Sequence, residues 1–345
     1  MKSTNPYGPD DRSYSRKARP VRANRPKRRL KKQARLLIVS IFAAGLLVGI
    51  ATGFISGYIG RQKERQIAGL FDSLVADDAE ALLNGAKSVL LPNDARIDSK
   101  VRPENISEEF FEQLKTDART SSATQLKDYS ILMNCEYYTD DLVEFYLRDK
   151  DRFSFVWVYP HANDAVYQTP VTSLTEDLST IPHLLQWDLR WGYQPYLDML
   201  VYAAGCGPTC MSMVASYLNQ DPTLTPRKMC DLSVEYGDAV SGAGTANTFF
   251  EHAAQETGLN VEEIPAQADA LLNAVNQGKP VILHMGPGNF TRIGHFIVVT
   301  GVEDGKLKVN DPNSISRTHT LWDVQEVLDE CYRGWAFSKQ ETQCH

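Results

Sequence analysis

Glycine flanks Cys206 on both sides, in Gly205-Cys206-Gly207-Pro208-Thr209-Cys210, and an apolar periodic run follows. Cys210, Met211, Val214 and Leu218 fall on one face of the helix that this run predicts. Pro208 suits the first helical turn, where its missing N–H costs nothing. A sulfur at such a helix start meets unpaired N–H groups and the positive end of the helix dipole, a setting that favours a nucleophile. The two glycines read as room for a substrate backbone. Cys210, on the buried face, reads as a structural cysteine.

A cysteine nucleophile needs a base and an orienting acid. Gly294-His295-Phe296-Ile297-Val298-Val299-Thr300 reads as a strand with His295 at its start, and Lys306 to Val309 reads as the returning strand. Glu303-Asp304-Gly305 supplies the turn, and Asp311 is delivered to the same end as His295. Strand parity sets a condition on this pairing. A two-residue turn at Asp304-Gly305 would put the two side chains on opposite faces; an odd loop, or one bulge, restores them to one face. Upstream, Gln186 offers an amide that, with the Cys206 backbone N–H, suits an oxyanion hole; Gln194 is the alternative donor.

Other residues compete for roles. His284 lies in an apolar strand, Pro280 to Met285, and reads as a satisfied core histidine. His252 reads as surface or core, and His161, His183, His319 and His345 have no motif around them. Trp187, Trp191 and Trp335 read as core before groove lining. Cys206 and Cys210 lack the further ligands that structural zinc requires. Gly242-Ala243-Gly244-Thr245 lacks the lysine of a phosphate loop and reads as a groove wall. No metal or cofactor is expected.

The chain of 345 residues carries a net charge of −7, very unevenly spread. Residues 1–35 hold 13 basic and two acidic side chains; the remainder holds 23 and 41. Leu36 to Gly60 then run for 25 residues without a charge. A helix of that length reaches about 37 Å, enough to cross a hydrocarbon core of about 30 Å. No small-residue cleavage pattern follows, so the run reads as an uncleaved signal anchor. Arg28, Arg29, Lys31, Lys32 and Arg35 abut it and outweigh Arg61, Lys63 and Arg65 beyond it. The basic side stays cytoplasmic, giving a single-pass type II membrane protein with an extracellular body. The head, rich in Pro, Ser, Arg and Asn, is expected to be disordered and to lie against anionic lipid. Nucleic acid is not expected as a partner, because no stacking aromatics accompany the charge. Gly45, Gly49, Gly53 and Gly57 form a smooth stripe suited to a homodimer of spanning helices.

The expected organisation is a basic head (1–35), a transmembrane anchor (36–60), a partly helical stalk and linker (61–135), a helical support segment (136–180), a catalytic domain (181–338) and a tail (339–345). In the stalk, Ile67, Leu70, Phe71, Leu74 and Val75 follow a helical period ending before Pro92-Asn93-Asp94. Helical patches are expected around Phe110, Phe111 and Leu114, from Thr139 as cap into Asp140 to Leu147, and from Phe153 to Tyr159. The aromatics between Tyr137 and Tyr159 are too many to leave in water and are expected to pack on the following domain.

Gln186-Trp187-Asp188-Leu189-Arg190-Trp191-Gly192-Tyr193, the GCGPTC segment at 205–210, GHFIVVTG at 294–301 and NDPNS at 310–314 stand in an order that resembles the double-glycine leader peptidase family, the bacteriocin-processing peptidases. The likeness is greater to its stand-alone exported Gram-positive relatives. It implies an α+β, papain-like cysteine peptidase fold over residues 181–338, with Cys206 as nucleophile, His295 as base, Asp311 as orienting acid and Gln186 as oxyanion donor. Two features depart from the pattern. The transporter-linked members carry their glutamine a few residues before the cysteine, whereas Gln186 lies twenty residues away. No transporter module is present, so the double-glycine specificity is not carried over. The expected function is a membrane-anchored extracellular cysteine peptidase acting on a peptide or cell-wall peptide. A cell-wall amidase, a transpeptidase-like acyltransferase or a non-catalytic surface binding module are the alternatives on the same groove.

Overall fold

Capping residues mark out a run of short helices at the start of the computed structural model, which describes residues 92–340. The basic head, the uncharged run with its glycine stripe, the stalk as far as residue 91 and the last five residues lie outside the described residues. Among the described residues, no helix is long and apolar enough to cross a membrane.

Asn93 caps α1 (Asp94–Ser99), accepting from the Arg96 N–H at 3.3 Å. Ser107 caps α2 (Glu108–Arg119), where Phe111, Leu114 and Ala118 are buried at helical spacing. α3 (Gln125–Met133) follows. Thr139 caps α4 (Asp140–Arg148), as expected from the sequence. α5 (Phe153–Val158) and α6 (Ala165–Gln168) complete the run. One apolar core extends from Ile97 to Ala162, through both the stretch read as linker and the stretch read as support. Trp187 and Tyr193 of the following domain enter the same core, and the Phe155 and Tyr193 rings stack at 4.2 Å. Phe145, Phe155 and Tyr159 thus meet Tyr193 or Tyr202 of the next domain, as the sequence suggested, whereas Tyr146, Phe153 and Trp157 pack within the helical unit and Tyr137 is exposed.

From residue 195 the chain changes character. A small hairpin, β1 (Pro195–Tyr196) and β2 (Met199–Leu200), leads into α7 (Val201–Ala204) and directly into α8 (Cys206–Asn219). α8 is buried nearly all round from Gly207 to Ser216, so it is a central core helix and not an amphipathic one. α9 (Pro226–Glu235), a second hairpin of β3 (Ala239–Val240) and β4 (Gly244–Thr245), and α10 (Phe249–Glu256) surround it.

The rest is an antiparallel sheet of six strands in the order β5, β10, β6, β7, β8, β9. These are β5 (Leu259–Ile264), β6 (Val281–Met285), β7 (His295–Glu303), β8 (Lys306–Asn310), β9 (Leu321–Trp322) and β10 (Cys331–Lys339). Both faces are covered, which explains the near-continuous apolar runs of β6 and β7. Ile282, Phe296, Val298, Trp335 and Phe337 face the core around α8 and α10. Leu283, Met285, Ile297 and Val299 face α11 (Ala268–Asn276) and α13 (Val324–Asp329). α12 (Ile315–Thr318) is a single turn after β8.

Candidate active site

The β7–β8 hairpin decides whether His295 and Asp311 can meet. Its turn has two residues: Glu303 pairs with Lys306, and Asp304 and Gly305 take φ of +52° and +75°. Those left-handed values suit a tight hairpin turn. Alone, it would separate the two side chains. The register then slips by one between Val299 and Gly301, so that Thr300 bulges and Val298 pairs with Asn310. The bulge returns His295 and Asp311 to one face.

The two side chains are joined. His295 Nε2 donates to Asp311 Oδ1 at 2.8 Å, and the two residues are 5% and 0% exposed. Cys206, at the first position of α8, is close enough to act on the charge of the same ring. With Nε2 engaged by Asp311, Nδ1 is the nitrogen left for the sulfur.

Charge organises this cluster. Burial pulls the imidazole pKa down, but the Asp311 carboxylate and the Cys206 sulfur outweigh it and raise it to about 9. Burial pushes the Asp311 carboxyl up, while His295 and Arg317 hold it down at about 2. The linkage signs follow. The His295 contribution to stability is complete below its ordinary 6.5 and is lost as pH rises through about 9. The Asp311 contribution is complete above its ordinary 3.8 and is lost as pH falls through about 2. Thermal unfolding of the wild-type chain should therefore show a plateau in the weakly acidic range and decline on both sides.

Asp311 has more partners than the sequence suggested. Its Oδ1 also accepts from the Asn313 backbone N–H at 2.7 Å, and Arg317 Nε donates to Oδ2. Its backbone N–H donates to Thr318 Oγ1 at 2.9 Å, and its carbonyl accepts from His183 Nε2 at 2.7 Å. Arg317 is placed by α12, whose cap Ser314 accepts from the Arg317 N–H at 3.3 Å. The Asp-Pro-Asn-Ser run followed by Arg317 was the available signal for this loop, a turn feeding a capped helical turn. His183, which has no motif around it, is thus part of the site's frame.

Gln186 lies between the two halves. Its backbone N–H donates to the Pro312 carbonyl at 2.7 Å, beside Asp311. Its Nε2 donates to the Tyr202 carbonyl at 2.6 Å, in the turn before Cys206. One amide hydrogen remains for a substrate oxygen, and the buried Oε1 has no partner. Gln194, the alternative donor, has its amide nitrogen engaged by the carbonyls of Tyr167, Thr169 and Arg190.

Two expectations are corrected. The glycines beside Cys206 are filled by protein, not kept open for substrate. A Cβ at Gly205 would come within 2.6 Å of Val201, and one at Gly207 within 3.0 Å of Thr245. They permit α7 to run into α8, and β4 to lie against it. His284 is not a satisfied core histidine: it is half-buried between Phe296 and Tyr332, and its Nδ1 is buried without a partner. The three tryptophans are core residues, 7%, 0% and 1% exposed for Trp187, Trp191 and Trp335. His252 bonds Asp238 through Nδ1 at 2.8 Å, away from this cluster.

Residues 178–341 match the model of the Peptidase_C39 like family. This stretch is a C39-like cysteine peptidase domain. It occupies just under half of the chain. No curated protein is significantly similar to the sequence. Among solved structures, the peptidase domain of Streptococcus ComA, described as a bi-functional ABC transporter involved in quorum sensing, is 22% identical. The match covers 40% of this chain and 93% of that one, with a TM-score of 0.33. A chain described as a C39-like peptidase from Bacillus anthracis is 16% identical over 47% and 96%, at 0.32. A digestive procathepsin L 3 from the larval midgut of Tenebrio molitor is 12% identical over 67% and 98%, also at 0.32.

Proposed function

We propose that the protein is a membrane-tethered cysteine peptidase whose C39-like domain works outside the cytoplasmic membrane through Cys206, His295 and Asp311, with Gln186 in the oxyanion hole. The observation that carries the reading is the buried His295–Asp311 pair, with a helix-start cysteine acting on the charge of the same imidazole.

The Cys206 sulfur attacks the scissile carbonyl carbon and forms a tetrahedral oxyanion. The spare Gln186 N–H and the Cys206 backbone N–H receive the negative charge. The C–N bond then breaks, and the imidazolium of His295 gives its proton to the leaving amine. His295, now neutral, takes a proton from water as the water oxygen attacks the thioester. Collapse releases the acid and restores the sulfur. Asp311 keeps the ring in the orientation that presents one nitrogen to the sulfur, and stabilises its charged form.

Gln186→Ala should lower kcat by about 10²–10³-fold with little change in KM. Steady-state kinetics on a cleaved peptide checks this; an unchanged kcat returns the oxyanion role to backbone alone.

The tether is supported by the uncharged run 36–60 and by the basic residues ahead of it. In cells expressing the full chain, the protein should partition with membranes, and protease added outside should remove the C-terminal body while sparing an N-terminal tag. Comparison of surface and shed peptides between wild type and Cys206→Ala cells names the bond cut. Cleaved peptide termini that appear only with the active protein support the reading; identical peptide sets oppose it.

A further inference from the structure

The helical unit formed by α1 to α6 reaches the catalytic loop through polar side chains, Arg152 foremost and Asp149 beside it. Arg152 is 5% exposed and ends a 3-10 turn, Lys150–Arg152. Its Nη2 donates to both the carbonyl and the Oδ1 of Asn313, each at 3.0 Å. Its Nη1 donates to the Phe145 carbonyl at 2.9 Å, and the guanidinium lies over the Phe145 ring, 4.0 Å from its centre. A planar fork held in this way fixes direction as well as distance.

What Arg152 grips is one step from the triad. The backbone N–H of Asn313 donates to Asp311 Oδ1, the oxygen that accepts from His295. Phe145 in turn meets the Tyr202 ring at 5.2 Å, and the Tyr202 carbonyl holds Gln186.

The 3-10 turn is itself anchored. Lys150 Nζ bridges Asp117 and Asp128 at 2.7 Å each, and the Tyr146 hydroxyl donates to Asp128 at 2.7 Å. Asp149 caps the turn by accepting from the Asp151 N–H at 3.0 Å, and its other oxygen lies 3.4 Å from Ser314 Oγ. Buried polar atoms are therefore spent on tying this unit to residues 313 and 314, although an apolar contact would have sufficed to hold two halves together.

We propose that Arg152 is a positioning residue for the triad acid, so that the helical unit is a working part of the active site and not a spacer. The inference rests on the assignment of Cys206, His295 and Asp311 as the reacting cluster. Without the guanidinium, Asn313 keeps only the longer bond from the Trp187 indole to its carbonyl at 3.3 Å, its orientation loosens, its N–H leaves Asp311, and the carboxylate no longer holds the His295 ring in line with the sulfur.

The test uses the full chain and two readouts. In peptide turnover, Arg152→Gln should lower kcat by about 10–100-fold, the scale of a small misplacement of reacting groups, with KM held within about twofold. Asn313→Ala should fall in the same direction by less. The second readout needs no substrate: mass spectrometry follows modification of Cys206 by iodoacetate and by iodoacetamide. A charged His295 favours the anionic reagent, and that preference should disappear at a lower pH in Arg152→Gln than in wild type. Leu132→Ala, in the core of the helical unit, serves as the control for destabilisation alone. It should lower Tm and leave the pH at which the preference is lost unchanged. If Arg152→Gln does not fold, Asn313→Ala decides. Folded variants with wild-type kcat and wild-type preference overturn the proposal. Should wild type cleave no peptide at all, the peptidase reading falls while the reagent preference still tests Arg152.

Discussion

Cys206→Ala is expected to lower peptide turnover by on the order of 10⁴–10⁶-fold without unfolding the chain, since loss of a nucleophile removes the covalent path entirely. The fold should tolerate it. Cys206 is only partly buried against its core, and alanine suits the first turn of α8. Its sulfur acts on the charge of His295. The discriminating comparison is turnover beside thermal unfolding. A variant with wild-type Tm and no turnover is the expected outcome. A variant retaining even a hundredth of the wild-type rate would move the nucleophile elsewhere. Cys210 is the nearest cysteine in sequence, but it is fully buried, and burial pushes its thiol well up. It could not replace Cys206 without a rearranged helix.

Asp311→Asn carries the second largest effect, a loss in kcat of about 10²–10⁴-fold. Three donors converge on the Asp311 carboxylate, from His295, Asn313 and Arg317. An amide can accept from only some of them and turns its own N–H₂ toward the others. The loss of charge also acts on His295. Its raised pKa depends on Asp311 more than on the sulfur, so the alkaline limb of kcat should move from near 9 toward lower pH. Arg317, 23% exposed, would be left beside a neutral partner. The double variant Asp311→Asn, Arg317→Gln should therefore recover some stability and none of the rate. A pH–rate profile and an unfolding curve on the single and double variants check both halves. Recovered rate in the double variant would mean that the acid serves stability alone.

The residues of the candidate cluster were legible from local sequence because each sits on a local element. A helix start with Pro208 in its first turn, a strand opening on His295 and a return strand ending before Asp311 each leave a short-range signature. Parity was legible too, as a condition. The Thr300 bulge itself was not, since Thr300 is an ordinary strand residue and the slip is set by partners on β8. Gly205 and Gly207 were found and misread. Sequence shows that a side chain is missing, but what occupies the space belongs to Val201 and Thr245. Arg317 lay close in sequence to Asp311, with only a turn and a cap to suggest that it folds back. Arg152 could not be found, because 161 residues separate it from Asn313 and nothing in its own neighbourhood marks it. The helical unit was underestimated for the same reason. Its polar surface pattern over 93–135 conceals Ile97, Ile106 and Leu132, fully buried in a core built by distant helices.

The measurement that bears most directly on the cluster is the ratio of iodoacetate to iodoacetamide reactivity at Cys206 across pH, in wild type and in His295→Ala. An imidazolium beside the sulfur should attract the anionic reagent, so the ratio should exceed that of a free thiol at neutral pH and fall as pH rises through about 9. His295→Ala should abolish the excess. A wild-type ratio equal to that of a free thiol, or one unchanged by His295→Ala, would contradict the pairing of Cys206 with His295.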